Sequence, residues 1–417
     1  MKDSGIEWIG KVPVEWKIDN PQYHFSQRKD RAKQGMVQLT ASQKYGVITQ
    51  TEYMERTGAN IVTVQKDFDI LKLVCAGDFV IHMRSFQGGL EYSEKTGSIS
   101  SAYVMLIPSN TIREPRYYKW FFKSSNYIDA LSSTSNLVRD GQAMRWSNFI
   151  QLPILFPPAE EQQRIADFLD AKCAEIDALT ADIQTQIDTL EQYKRSVITE
   201  TVTKGLNPDA KMKDSGIQWI GNMPAHWDVI RGKYILRYMQ KPVREDDGVI
   251  TCFRDGEVTL RSNRREDGFT MSDKEIGYQG IDVGDLVVHG MDGFAGSIGI
   301  SNSRGKASPV LNVLDTDQCK RYIMYYLRSM AYSDVFLALA TGIRVRSCDL
   351  RWNKLAELSY PVPPLDEQNA IVKHIDSVLS KADAVIADKK AQLATLDEYK
   401  KSLIFEYVTG KKEVPTS

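Results

Sequence analysis

Pro157-Pro158-Ala159-Glu160-Glu161-Gln162 divides two kinds of sequence. Proline cannot sit inside a helix but marks a sharp start to one, and from Glu160 to Lys204 there is neither Pro nor Gly. Leu169, Ile176, Ile183, Leu190 and Val197 recur there at every seventh residue, with Leu179, Gln186 and Tyr193 as complementary seam positions and Ile187 broadening the stripe. The same signal returns at an offset of 206, where Pro363-Pro364-Leu365-Asp366-Glu367-Gln368 opens a second Pro- and Gly-free run. Ile375, Ala382, Leu396 and Leu403 hold its main seam beside Val378, Val385 and Tyr399, while Lys389 interrupts it and Gln392 matches Gln186. A 3.5-residue apolar period sustained over this length predicts a coiled coil. Forty-five helical residues span roughly 65–70 Å, more than one small domain can cover. The spacing therefore predicts an antiparallel intramolecular pair rather than two helices packed separately on their own domains.

A second repeat opens each half. Met1-Lys2-Asp3-Ser4-Gly5-Ile6-Glu7-Trp8-Ile9-Gly10 returns as Met212-Lys213-Asp214-Ser215-Gly216-Ile217-Gln218-Trp219-Ile220-Gly221, and Pro13 and Trp16 return as Pro224 and Trp227. Arg145-Trp146 recurs as Arg351-Trp352, and Tyr193-Lys194 with Ser196 as Tyr399-Lys400 with Ser402. Repetition at fixed spacing indicates duplication. Between the repeats the two halves look largely different, so the order is variable segment, repeat, variable segment, repeat.

The 417 residues suit two or three domains. We divide them into 1–150, a first globular domain; 151–211, a first helix and linker; 212–355, a second globular domain; and 356–417, a second helix and tail. The fold class expected is α+β, with two mixed α/β domains joined by the helix pair in a pseudo-two-fold repeat. Ile61-Val62-Thr63-Val64, Asp78 to His82, Ala102 to Ile107 and Asp285 to His289 read as short strands. Tyr117 to Leu131 and Cys319 to Leu339 read as helices.

With 42% apolar and 26% charged residues, both domains can bury a core. Five scattered cysteines with no Cys-x-x-Cys point to a reducing compartment and away from disulfides or a thiolate zinc site. No apolar run reaches a membrane span and none resembles a signal segment, so a cytoplasmic protein is expected. The net charge of −1 hides a contrast. Residues 1–150 carry 19 Lys and Arg against 15 Asp and Glu, and 212–355 carry 20 against 18, whereas 159–204 carry 5 against 10. Mildly basic domains on an acidic rod permit nucleic-acid binding without requiring it.

Local clusters supply candidate DNA contacts. Arg28, Arg31 and Lys33 lie in one basic run, and Arg261, Arg264 and Arg265 in another; Arg139 stands near the end of the first domain. Arg84-Ser85-Phe86-Gln87-Gly88-Gly89 follows a strand, and such a loop can bring backbone N–H groups to a phosphate while Arg84, Ser85 or Gln87 reaches a base edge. Arg344 and Arg346 share one side of an extended segment. His82 and His289, at equivalent strand ends, read as polar core residues rather than catalytic ones. The Gly299 to Ala307 stretch misses the phosphate-loop spacing and its Ser/Thr. No Asp/Asn-Pro-Pro-aromatic methyltransferase motif occurs, and Glu398-Tyr399-Lys400 lies on the heptad stripe. The sequence presents no self-contained active site, and no enzyme is expected.

The paired Ser-Gly-Ile-x-Trp-Ile-Gly…Pro…Trp openings at 4–16 and 215–227, with the paired Pro-Pro-x-Asp/Glu-Glu-Gln helix starts, resemble the specificity subunit of type I restriction–modification enzymes over essentially the whole chain. Arg84 to Gly89 followed by Ser101-Ala102-Tyr103 also looks like a stretch of that family's target-recognition domains, whereas His289-Gly290-Met291-Asp292-Gly293 departs from it. The resemblance implies two target-recognition domains at opposite ends of the helix pair, each reading half of a bipartite asymmetric target. It implies double-stranded DNA, two methyltransferase subunits and two restriction subunits as partners. S-adenosylmethionine, ATP and Mg²⁺ would belong to those partners, with none bound by this chain and no metal site in it. A non-enzymatic coiled-coil protein adaptor is the other reading of the same residues.

Overall fold

A computed structural model describes residues 1–61, 70–83, 85–134, 144–264, 276–339 and 350–415. The expected strand at 61–64 therefore lies almost wholly outside the described residues. Two compact units emerge, one formed by 1–183 with 391–417 and the other by 184–390. They differ from the four segments drawn from sequence, because each unit takes in part of both long helices together with one globular domain.

In the first unit β1 (Phe25–Arg28), β2 (Phe79–Ile81), β3 (Glu91–Tyr92) and β4 (Val104–Pro108) form an antiparallel sheet of order β1-β4-β2-β3. Phe25, Phe79 and Leu106 turn inward onto Tyr118, Phe122 and Phe149. The helical stretch expected from Tyr117 to Leu131 is two helices, Pro115–Phe121 and Ser125–Ser133. In the second unit β5 (Leu236–Met239), β6 (Leu286–His289), β7 (Ile298–Ile300) and β8 (Leu311–Thr316) repeat that order as β5-β8-β6-β7. Helix Lys320–Tyr332 packs on it, followed by the short Val335–Ala338. The dissimilar segments thus share one topology.

One buried carboxylate in each unit explains part of this agreement. Asp78, 2% exposed, precedes β2 and accepts from Arg28 Nε at 2.7 Å, from Arg28 Nη2 at 2.8 Å and from the Cys75 N–H at 2.8 Å. Asp285 precedes β6 and accepts from Lys241 Nζ at 2.7 Å and from the Asp282 N–H at 2.8 Å. In both units the carboxylate closes its own turn and takes a cation from the sheet's first strand or just beyond it.

The repeated motifs act at the starts of the long helices, Ala159–Lys204 and Leu365–Val408. Gln162 Nε2 donates to the Pro157 carbonyl at 2.8 Å, and Gln368 Nε2 to the Pro363 carbonyl at 2.9 Å. Each buried amide satisfies a carbonyl that the proline turn leaves outside the helical ladder. Trp16, fully buried, donates to Glu161 Oε2 at 2.8 Å. Tyr117 donates to the Val408 carbonyl at 2.7 Å, and in the other unit Tyr322 to the Val202 carbonyl at 3.0 Å.

Leu169, Ile176 and Ile183 are buried on the first long helix, as are Ile375, Ala382 and Leu403 on the second, with Leu190, Val197 and Leu396 partly covered. The complementary positions differ from those read in the sequence: Leu179, Tyr193, Val385 and Tyr399 are exposed. The covered partners lie four residues beyond the main seam rather than three, at Ala166, Cys173, Ile187, Val372 and Ile386. Burial pushes the Cys173 thiol up to about 11. Within each unit the pairing is antiparallel. Phe168 stacks on Tyr407 and Asp177 meets Lys400 at 2.5 Å in the first; Gln186 meets Lys389 and Lys194 meets Asp383 at 2.6 Å in the second.

Asp78→Ala should destabilise the chain by about 1–3 kcal/mol, because it leaves Arg28 with only the exposed Asp30 and the Cys75 N–H without its acceptor. Chemical denaturation of the variant against the native chain measures it.

Candidate nucleic-acid interface

In the second unit the hairpin Ile250–Cys252/Val258–Leu260 stands beside the end of β6 and encloses a polar cleft of about 660 Å³. Thr251, Arg254, Arg261, Arg264, His289 and Ser308 line it. Arg264, exposed, reaches Asp255 at 2.7 Å and Glu257 at 3.3 Å, with its guanidinium 4.2 Å from the Phe253 ring centre. Arg254 pairs with Asp292 at 3.2 Å, and Arg261 Nε approaches Thr251 Oγ1 at 3.4 Å. The arginines are thus held in place by partners at the surface, where such pairs are worth about 0–1 kcal/mol and exchange readily for a phosphate.

His289 is fixed by the backbone. Its Nδ1 accepts from the Met291 N–H at 3.2 Å and the Asp292 N–H at 2.9 Å, which places the ring proton on Nε2. Burial moves its pKa below the ordinary value, opposed by nearby Asp292. The ring is a neutral strand-end residue that holds the turn after β6.

The equivalent region of the first unit is built differently. The stretch expected to be a loop is one helical turn, Ser85–Gly88. Ser85 is fully buried and its Oγ accepts from the His82 N–H at 2.9 Å, so it faces away from any base. Gly89 has φ +74°, and a Cβ there would lie 2.0 Å from the Phe122 carbonyl oxygen. A Cβ on Gly88 would lie 2.5 Å from Gln43 Cγ. The glycines therefore serve close packing rather than approach to a phosphate. Gln87 is exposed and lines a cavity of about 580 Å³ with Lys123, Asn126 and Lys401.

Arg28 is engaged by Asp78, which leaves its fork committed to the fold. Arg31 is exposed and donates to the Ile70 carbonyl at 3.2 Å, and Lys33 is exposed nearby. Arg84, Arg139, Arg265, Arg344 and Arg346 lie outside the described residues. Of the candidates, Arg261 and Arg264 come together in one cleft, joined by Arg254 and His289. Arg254 was missed because it stands alone in sequence, on the hairpin's turn. Among the described residues no group of His, Cys, Asp and Glu could hold a metal ion, and no helix is long and apolar enough to cross a membrane.

Residues 24–189 match the family model of the type I restriction modification DNA specificity domain. The type I restriction enzyme MjaVIII specificity subunit of Methanocaldococcus jannaschii is 22% identical over 422 residues, covering 97% of this chain and 94% of that one. Residues 24–189 thus carry the type I DNA specificity domain, and the chain along its length is similar to type I restriction enzyme specificity subunits. The EcoBI specificity subunit of Escherichia coli is 22% identical over 332 residues, 72% of this chain and 67% of its own length. Two solved structures share the fold. A chain from work on complex assembly and conformational transition of the type I R-M system superposes with a TM-score of 0.67 at 15% identity, over 96% of this chain and all of that one. The HsdS subunit from Thermoanaerobacter tengcongensis gives 0.50 at 14% identity, over 99% and 100%.

His289 supplies a pH-dependent contribution to the stability of the second unit. With the folded pKa depressed, stability from the neutral ring is present above the unfolded value near 6.5 and is lost as the pH falls through the folded value. NMR titration should find the His289 midpoint below the ordinary histidine value, and His289→Phe should remove this part of the acid dependence.

Proposed function

We propose that each globular domain reads one half of a bipartite, asymmetric DNA target in the major groove, and that the long helices set the spacing between the halves. The observation that carries this reading is one sheet topology built twice with different surfaces. An arginine cleft beside His289 marks the second domain, and a glycine-packed helical turn marks the first. Two copies of one scaffold with unlike faces suit two unlike half-sites. Arg261, Arg264 and Arg254 are the leading contacts in the second domain, and Arg31 and Lys33 in the first. The helices would also dock two methyltransferase and two restriction subunits, as the names of the relatives and of the assembled neighbour support. S-adenosylmethionine, ATP and Mg²⁺ would enter with those partners, and adenine would be flipped into the methyltransferase pocket. This chain would contribute recognition rather than catalysis.

Replacing residues 17–145 with a different recognition domain tests modularity. The motifs at Trp16, Pro157 and Gln162 meet the new domain unchanged, so assembly should persist. Genome-wide methylation mapping should show a target in which only one half has changed. A hybrid that altered both halves would overturn independent reading.

Inserting seven residues into both long helices, after Ile183 and after Lys390, keeps the heptad phase and adds about 10 Å. At roughly 3.4 Å per base pair, the preferred spacer should grow by about three base pairs while both half-sites stay the same. Methylation mapping that returned the original spacer would count against a ruler.

A further inference from the structure

Helix Lys320–Tyr332 of the second unit ends on a tyrosine that two arginines share. The Arg195 guanidinium, from the first long helix, lies 5.3 Å from the centre of the Tyr332 ring. The Arg328 guanidinium lies 5.5 Å from it, and Arg328 Nε donates to the phenol oxygen at 2.8 Å. All three line a cavity of about 950 Å³ whose apolar wall includes Phe294, Met324, Leu337 and Leu379.

Charge pairing in this cavity is uneven. Asp255 and Glu257 hold Arg264, while Glu191 and Asp383 hold Lys194. Arg254 is paired with Asp292 and Arg321 with Asp376. Among the described residues Arg195 and Arg328 have no carboxylate within ion-pair distance, and Asp334 on the rim has no cation. Two guanidinium forks therefore face the cavity without an anion.

The first unit carries a cavity between the same elements, lined by Lys123, Asp129, Lys401 and Phe405. There Lys123 is taken by Glu91, and Lys401 by Asp397 and Glu398 at 2.7 and 3.0 Å. Each of its cations already has a counter-charge, so only the second unit's cavity is short of an anion.

The lining distinguishes between possible occupants. Arg, Tyr, Phe and Met around an apolar floor are the residues enriched at the cores of protein interfaces. A polyphosphate backbone would meet five carboxylates at Glu191, Asp255, Glu257, Asp334 and Asp383, whereas a single carboxylate flanked by apolar side chains would match both charge and floor. We propose that this cavity holds a segment of a partner protein that presents an acidic residue between apolar ones, its carboxylate clamped by Arg195 and Arg328. The inference rests on the assembly reading above, under which the partner is the methyltransferase subunit. The two halves of the chain then grip their partners unequally, the guanidinium clamp belonging to one of them.

The test is calorimetric titration of the full chain with the methyltransferase subunit of its own system. R195A/R328A should bind at least one of the two partner copies 10- to 100-fold more weakly. R195A alone should lose about 5- to 20-fold; it stands on an exposed helix face where alanine is the best helix former, so the fold is kept. K401A, in the first unit's cavity, should stay within twofold. Binding by the native chain with both arginine variants within twofold would overturn the clamp and leave the assembly reading intact. An equal loss in K401A would overturn the asymmetry. Reduced affinity for target DNA with methyltransferase binding unchanged would show that the anion is a phosphate, against the proposal. A native chain that does not bind the methyltransferase subunit would overturn the assembly reading itself, and the clamp with it.

Discussion

A helix start made of two prolines leaves a carbonyl that its own ladder cannot satisfy, and this chain meets that constraint in the same way twice. Gln162 and Gln368 fold back onto the Pro157 and Pro363 carbonyls from fully covered positions. A buried polar group without a partner costs about 1–3 kcal/mol, so the amide is held where the globular domain meets the helix. Trp16 on Glu161 and His226 on Glu367 add a second tie at each start. The direction in which each helix leaves its domain follows from these contacts, and the seam and the tyrosine bonds at Val408 and Val202 depend on that direction.

Polar groups on the helix seam do a different job. Lys194 with Asp383 and Lys400 with Asp177 are the same pair repeated at an offset of 206, one in each unit. Exposed pairs of this kind add little stability. Placed among apolar neighbours, they penalise a slipped register, in which a lysine would face Ile or Leu. Lys389, which breaks the apolar seam, is met by Gln186 for the same reason.

The comparison of the two domains separates scaffold from surface. Asp78 and Asp285, His82 and His289, and Tyr117 and Tyr322 occupy matching places, and all of them serve the fold. The hairpin Ile250–Cys252/Val258–Leu260, the turn Ser85–Gly88 and the cavity linings differ between the domains, and these are the surfaces open to ligands. Variation in such a molecule can change recognition with little cost to stability, because the bonds that hold the sheet lie elsewhere.

The duplication, the long helices and the main heptad seam were all legible in the sequence, because they rest on local spacing. The β2 and β6 strands were legible too, since Phe79-Val80-Ile81 and Leu286-Val287-Val288 are short apolar runs set off by Gly77-Asp78 and Gly284-Asp285. Other assignments needed the fold. Leu179 and Tyr193 have the spacing of a seam, yet the direction from which each partner helix and domain approach puts the covered edge at Cys173 and Ile187. Arg28 has the look of a surface contact until the buried Asp78, fifty residues away, takes its fork. Gly88 and Gly89 suggest a phosphate loop until Gln43 and the Phe122 carbonyl occupy the space beside them. Arg254 joins Arg261 and Arg264 through a hairpin turn, and Arg195 meets Arg328 on one tyrosine ring across 133 residues of chain. Periodicity and composition are properties of neighbours in sequence and declare themselves there; a charge's partner and a glycine's neighbour are set by chain segments brought together in folding.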